Sequence, residues 1–414
     1  MHLALNLYFW ITLGALLFFH VLDALANWLN GRALRPQLPP EFQGIYNAKK
    51  YRRLLAYQAA TARFDFVDST FNLAVLLLFW FGGGFDFLDR AVRVAHFDPI
   101  RSGLLYIGAL WLAHWLLNLP FDYYSTFRIE ERFGFNKTTP QTFFADQLKS
   151  LALTAVLGGA LLALVLAVFL HGGPRAWLYA WLAVAALLFV FVFIAPAVIL
   201  PLFNKFTPLE EGELKRAILE YGRVQNFPIA GILVMDGSRR STKSNAFFTG
   251  FGQTKKIALF DTLIAAHSVP ELLAVLAHEI GHYKLRHVLQ HLLVAILNIG
   301  LFFFVAEICL RERGLFDAFG VRAASVYAGL ALFLILYNPL SRLLSLPRLW
   351  QSRRHEFAAD HFAASTTGNA PAMIEALKKL SVTNLANLAP HPLYIALYHS
   401  HPPILQRIAA LQNL

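Results

Sequence analysis

Long uncharged apolar runs constrain this chain more than any other feature. Runs of about 20 residues lie near 3–29, 67–83, 103–119, 151–170, 177–200, 288–310 and 325–344. A bilayer-spanning helix needs about that length. In hydrocarbon every backbone N–H and C=O must be satisfied within its own segment, so the expected structure is a bundle of about seven transmembrane helices. The runs at 67–83 and 103–119 are the shortest or most interrupted by polar residues. Buried helices of a soluble core could explain one run but not seven, since the chain is 57% hydrophobic and only 15% charged. The first run is long, lacks a basic start and has no clear small-residue cleavage site, so it reads as an uncleaved span.

Basic residues orient the bundle. Arg32, Arg35, Lys49, Lys50, Arg52, Arg53 and Arg63 crowd the first loop, which is therefore expected in the cytoplasm. The N-terminus then lies outside, and the 204–287 region and the C-terminal tail lie inside. Arg90, Arg93, Arg101, Arg311, Arg313 and Arg322 fall on the external side and strain this assignment without reversing it. The expected setting is a bacterial inner membrane or its equivalent. The net charge of +11 is spread over membrane-flanking loops, with no basic helix or aromatic-basic module. This points to anionic lipid as a partner and away from nucleic acid.

Chemistry enters with His278-Glu279-Ile280-Gly281-His282, inside the stretch ELLAVLAHEIGHYKLR. On a helix, residues four apart share a face, which sets two imidazoles side by side for one Zn²⁺ per chain. Glu279 lies beside them, where it can take a proton from an activated water. Two histidines leave a tetrahedral site half filled. The best source of a third ligand is Arg353-Arg354-His355-Glu356-Phe357-Ala358-Ala359-Asp360. Glu356 and Asp360 share a helix face; Glu356 can ligate, and Asp360 can orient a ligating histidine or donate a proton. Standing alone, this segment would read as a solvated face of Arg–Glu pairs. The single cysteine, Cys309, sits in an apolar run, which excludes an internal disulfide and a cysteine-based zinc site.

HEIGH followed by RRHEFAADHFA resembles the type I CAAX prenyl proteases, integral-membrane zinc metallopeptidases. So do residues 119–136 (LPFDYYSTFRIEERFGFN), 244–263 (SNAFFTGFGQTKKIALFDTL) and 398–407 (YHSHPPILQR), in that order along the chain. The resemblance implies spans that enclose a chamber, with a cytoplasmic zincin-like metallopeptidase domain carrying a small β element. It implies that Asn245 bonds the substrate backbone, although a turn asparagine would look the same. Of the two candidates for stabilising an oxyanion, His401 and Arg407, it favours His401. Nothing in the residues themselves says that the substrate is prenylated.

The remaining segments frame this site. Residues 210–223 read as an amphipathic helix, 232–235 and 256–260 as strands, and Gly250-Phe251-Gly252 as a turn between them. The strand at 256–260 is expected to leave one edge free to pair with an extended peptide. Residues 82–99 read as a loop and 404–414 as a final helix. The chain divides into transmembrane helices at 1–203, a metallopeptidase segment at 204–287, two further spans at 288–344, and a C-terminal segment with the third ligand at 345–414. The expected activity is a membrane zinc metalloendopeptidase acting on a polypeptide, lipidated or not, in CAAX-type processing. A membrane-protein quality-control protease would use the same site. A transporter or metal-binding scaffold, its pathway lined by Asp68, Asn72, His114 and Asn118, would have no use for Glu279. Oligomeric state is not legible.

Overall fold

The computed structural model describes residues 3–35, 37–249 and 255–414. Its long helices are α1 (Leu7–Ala33), α2 (Ala48–Phe81), α3 (Pro99–Glu130), α4 (Pro140–His171) and α5 (Gly173–Val192), followed by α6 (Val269–Lys284), α7 (His287–Arg311), α8 (Val326–Thr367), α9 (Ala370–Thr383) and α10 (Ile404–Gln412). Among the described residues, seven of these, α1 to α5 with α7 and α8, are long and apolar enough to cross a membrane. Side chains written into the sequence start several of them. Asn47 caps α2, Asp98 caps α3 and Ser325 caps α8, each accepting a backbone N–H of the first turn.

The runs at 67–83 and 103–119 are the apolar parts of helices 34 and 32 residues long. Helix α8 has 42 residues, about 63 Å at 1.5 Å per residue. It therefore continues well beyond the hydrocarbon and carries Glu356 and Asp360 on its far part. One expectation fails here. Residues 84–94, read as loop, form a helix (Gly84–Val94) that Gly83 enters with φ of 76°. Its buried Phe85, Asp86, Asp89 and Val92 recur at helical spacing. Gly- and Asp-rich composition hid that period.

The seven helices close into a ring. α1 touches α2 and α8, α8 touches α7, α7 touches α5, α5 touches α4, α4 touches α3, and the last turns of α3 return to α2. Packing concentrates at the two ends. One apolar cluster gathers Trp80, Phe85, Tyr106, Phe319, Tyr327 and Phe333. There α3 and α8 approach across Gly103, where a Cβ would stand 2.8 Å from that of Tyr327. The other gathers Leu54, Tyr57, Phe133 and Phe135 with Leu272, Leu276 and Ile280 of α6. Between them, only 6% of the most apolar 18-residue window of α2, and of α3, is buried. A helix in a closed bundle buries roughly a third of its circumference. These helices therefore face an open space on the inside as well as lipid on the outside. Polar groups line that space: Asn72 and Asn118 exchange hydrogen bonds of 3.0 and 3.1 Å across α2 and α3, and Asn118 also contacts His114. Ionisable groups at such depth require water or protein around them, which an interior enclosed by the ring would supply.

A four-stranded sheet, β1 (Phe206–Pro208), β2 (Gly231–Met235), β3 (Ala246–Thr249) and β4 (Lys256–Phe260), lies against α6 in the order β1-β2-β4-β3. The expected free edge of Lys256–Phe260 is a misassignment. β4 pairs in parallel with β2 and antiparallel with β3, and Ile257, Ala258 and Leu259 are buried. A short run apolar on both faces marks an interior strand. The terminal strands are β1 and β3, and among the described residues β3, which starts directly after Asn245, has no second partner strand. The expected turn at Gly250-Phe251-Gly252 lies outside the described residues. The amphipathic helix appears at Glu213–Val224 and the final helix is α10.

Candidate active site

Helix α6 is set by its first turn. Ser268 and Glu271 form a reciprocal capping box, in which the Ser268 N–H donates to Glu271 Oε2 at 2.9 Å, and Lys379 of α9 donates to the same oxygen at 2.8 Å. Leu272, Leu276, Ala277 and Ile280 are buried, so the helix presents a fixed face to α8. The two helices approach through small residues. A Cβ at Gly281 would come within 3.3 Å of the Ala359 Cα, and Ala359 and Ala363 are fully buried. This close approach brings Glu356 against both histidines.

His278 Nε2 and His282 Nε2 are 3.1 Å apart, and Glu356 places Oε2 3.5 Å from the first and Oε1 3.3 Å from the second. Two nitrogens bound at about 2.0–2.1 Å to one tetrahedral Zn²⁺ lie roughly 3.3 Å apart, so the cluster fits that ion. One nitrogen from each imidazole and one Glu356 oxygen all lie within 4.8 Å of one another. Glu356 Oε2 is buried without a hydrogen-bond partner, a costly state that a cation would relieve. Glu279 lines the same cavity, of about 620 Å³, as His278 and Glu356. Burial pushes its carboxyl above the ordinary glutamate value, against the opposing pull of the two imidazoles.

Behind the cluster lies a buried polar layer. Asp360 Oδ1 is 2.8 Å from His278 Nδ1. Arg407 holds the same carboxylate with two donors, Nε at 2.7 Å and Nη2 at 2.6 Å, while its Nη1 is 3.5 Å from Glu356 Oε2. The guanidinium is thus committed to Asp360 from below. His401 comes from the opposite side. Its Nε2 lies 3.4 Å from Glu356 Oε1, its ring is largely exposed to the cavity, and Ser400 Oγ contacts its Nδ1 at 2.9 Å. Partial desolvation by the cavity walls, together with the nearby Arg407 guanidinium, lowers the His401 pKa below the ordinary imidazole value, although the ring stays open to the cavity. Arg353 does not form the surface ion pair that its sequence context suggests. It donates to the carbonyls of Ile395 and His399 and anchors the segment that carries His401. Asn245 is exposed at the entrance to β3 and lines the same cavity.

All eight residues singled out in the sequence therefore meet at one place. One neighbour escaped notice: His287, whose Nδ1 is 2.9 Å from His282 Nδ1. The signal was a third histidine five positions beyond the motif. An unbroken helix would have turned it away.

The chain was compared with known families and structures. Residues 27–205 match the profile of the CAAX prenyl protease N-terminal region of five membrane helices, and residues 208–414 match peptidase family M48. A CAAX prenyl protease 1 homolog from rice (Oryza sativa subsp. japonica) is 36% identical over 393 residues, covering 92% of each chain. CAAX prenyl protease 1 of Saccharomyces cerevisiae is 33% identical, covering 91% of this chain and 88% of its own. The human CAAX prenyl protease 1 homolog is 32% identical, covering 91% and 89%. The crystal structure of Ste24p from S. mikatae superposes with a TM-score of 0.93 at 30% identity, covering 99% of this chain and 100% of that one.

Proposed function

The chain belongs to peptidase family M48 and is a multi-pass membrane metalloprotease; from that premise we propose that it is a zinc endopeptidase that cleaves polypeptides of the CAAX type. Its names for substrate come from its relatives. The observation that carries the chemistry is the convergence of His278 Nε2, His282 Nε2 and a buried Glu356 oxygen that has no hydrogen-bond partner, beside Glu279.

His278, His282 and Glu356 would hold the ion, and zinc bound there supplies Lewis acidity, lowering the pKa of a water and polarising the scissile carbonyl. Glu279 takes the proton of the attacking water and returns it to the leaving amine. Asp360 fixes the His278 ring through Nδ1, and Arg407 keeps Asp360 ionised and in place. His401, facing the cavity, donates to the oxyanion that forms as water adds. Arg407 is already engaged by a carboxylate, which favours His401 for that duty. Asn245 and the open edge of β3 would align an extended peptide across the metal position. The site would face the cytoplasm, with the N-terminus outside.

The test is hydrolysis by purified protein in detergent. Peptides ending in a CAAX-type sequence, with and without a prenyl group, are offered to the native chain and to Glu279→Gln. Release of the C-terminal fragment by the native chain alone is expected. Equal turnover by both forms would sink the proposal. Peptides that stay bound to Glu279→Gln would define the substrate.

A further inference from the structure

A ligating imidazole uses one nitrogen for the metal, and whatever holds the other fixes the tautomer and the plane of the ring. For His278 that partner is the Asp360 carboxylate, 2.8 Å from Nδ1. For His282 no carboxylate serves. Its Nδ1 lies 2.9 Å from Nδ1 of His287. We propose that His287 is the positioning residue of the second histidine ligand, a neutral imidazole whose Nδ1 lone pair accepts the Nδ1–H of His282 and so aims His282 Nε2 at the metal position. The proposal rests on the reading of His282 as a ligand.

The geometry of the backbone supports it. Five residues along a continuous helix turn a side chain through about 500°, leaving it roughly 140° away from its predecessor. His287 returns to His282 only because α6 ends at Lys284 and Arg286, with φ of 59°, starts α7 in a new direction. A non-glycine residue in the left-handed region is strained and persists where the surroundings enforce it. Those surroundings are further histidines. The His287 ring is buried and stacks on His355 of α8, with centroids 3.9 Å apart and planes 3° from parallel. His355 Nδ1 in turn contacts His291 Nε2 at 3.3 Å. The stack fixes the plane of the His287 ring, and therefore the direction of its Nδ1 lone pair. The two ligands are backed unequally.

Three substitutions separate the acceptor from the packing. His287→Phe keeps a flat ring against His355 but has no lone pair. His287→Asn places an acceptor oxygen near the Nδ1 position. His287→Ala leaves room for added imidazole. Zinc affinity is measured against a competing chelator, and the visible spectrum of the cobalt-substituted protein reports ligand geometry. His287→Phe should lose roughly 10–100-fold in affinity and change the cobalt spectrum. His287→Asn should stay within several-fold of the parent in affinity, and imidazole should restore His287→Ala. Native affinity and spectrum in His287→Phe would overturn the proposal, as would equal impairment of Phe and Asn. If His287→Phe fails to fold, the imidazole response of His287→Ala decides: recovery supports the proposal and no recovery overturns it. A parent chain that binds no stoichiometric metal would instead defeat the ligand reading, and this is seen before any substitution is made.

Discussion

Glu279 and Glu356 are both carboxylates within one cavity, yet their losses should separate cleanly. Glu279→Gln removes a base and leaves the three ligand groups untouched. Metal content should stay near one zinc per chain, and kcat should fall by at least about 10²-fold. Turnover close to native in that variant would assign the proton transfer elsewhere. Glu356→Ala removes a ligand and with it the only anionic donor of the three. It should abolish or sharply weaken zinc retention on elemental analysis. Retention of full zinc would remove Glu356 from the ligand set. Asp360 and Arg407 illustrate how burial decides a role. Both side chains are almost wholly buried and form a two-donor pair, which ties most of the Arg407 donors to Asp360, whereas His401 is open to the cavity.

Helix α6 and strand β3 are the elements on which the site depends. Glu271 sits in the first turn of α6, where a negative charge also favours the helix dipole. Burial alone would raise its pKa, but Lys379 and the Ser268 N–H more than offset this and hold the carboxyl below the ordinary value. A group whose pKa is lower folded than unfolded stabilises the fold above its unfolded value, near about 4.3, and loses that contribution as pH falls through the folded value. Glu271→Ala should cost about 1 kcal/mol in thermal unfolding at about pH 7, and the gap from the native chain should narrow below about pH 4. A gap independent of pH would show that the charge contributes nothing. For β3, Asn245→Ala should lower kcat/KM by roughly 1–3 kcal/mol in transition-state stabilisation with zinc content unchanged. Walking proline through the substrate should expose positions that the enzyme rejects, where the strand edge needs an N–H. Equal cleavage at every position would exclude strand pairing.

At the scale of the molecule, orientation turns on the basic residues that flank the spanning helices. Arg90, Arg93, Arg101, Arg311, Arg313 and Arg322, which strain the assignment from sequence, each lie against a carboxylate: Asp86, Asp89, Asp98, Glu307, Asp317 and Asp86 again. Carboxylates count little in the positive-inside rule, so these pairs leave the strain in place, and the seven basic residues of the first loop carry the assignment. We infer that the end carrying the metal cluster faces the cytoplasm. A cysteine introduced at Gln141, with Cys309 replaced by serine, should react with an impermeant reagent only after the cells are opened. Labelling of intact cells would invert the topology.

Local order along the chain was sufficient for much of this protein. Apolar runs dictate spanning helices because hydrocarbon offers the backbone no other partner. The four-residue spacings in HEIGH and in HEFAAD dictate which side chains share a face. Three things were left to tertiary packing. The place of Lys256–Phe260 inside the sheet, rather than at its edge, depends on a strand, Ala246–Thr249, that pairs across a gap in sequence. The duty of Arg407, 47 residues beyond Asp360, depends on α10 packing against α8. The contact between His287 and His282 depends on a left-handed residue and on a ring stacked from another helix. Periodicity reports what a segment buries. It carries no information on which distant segment will be waiting there.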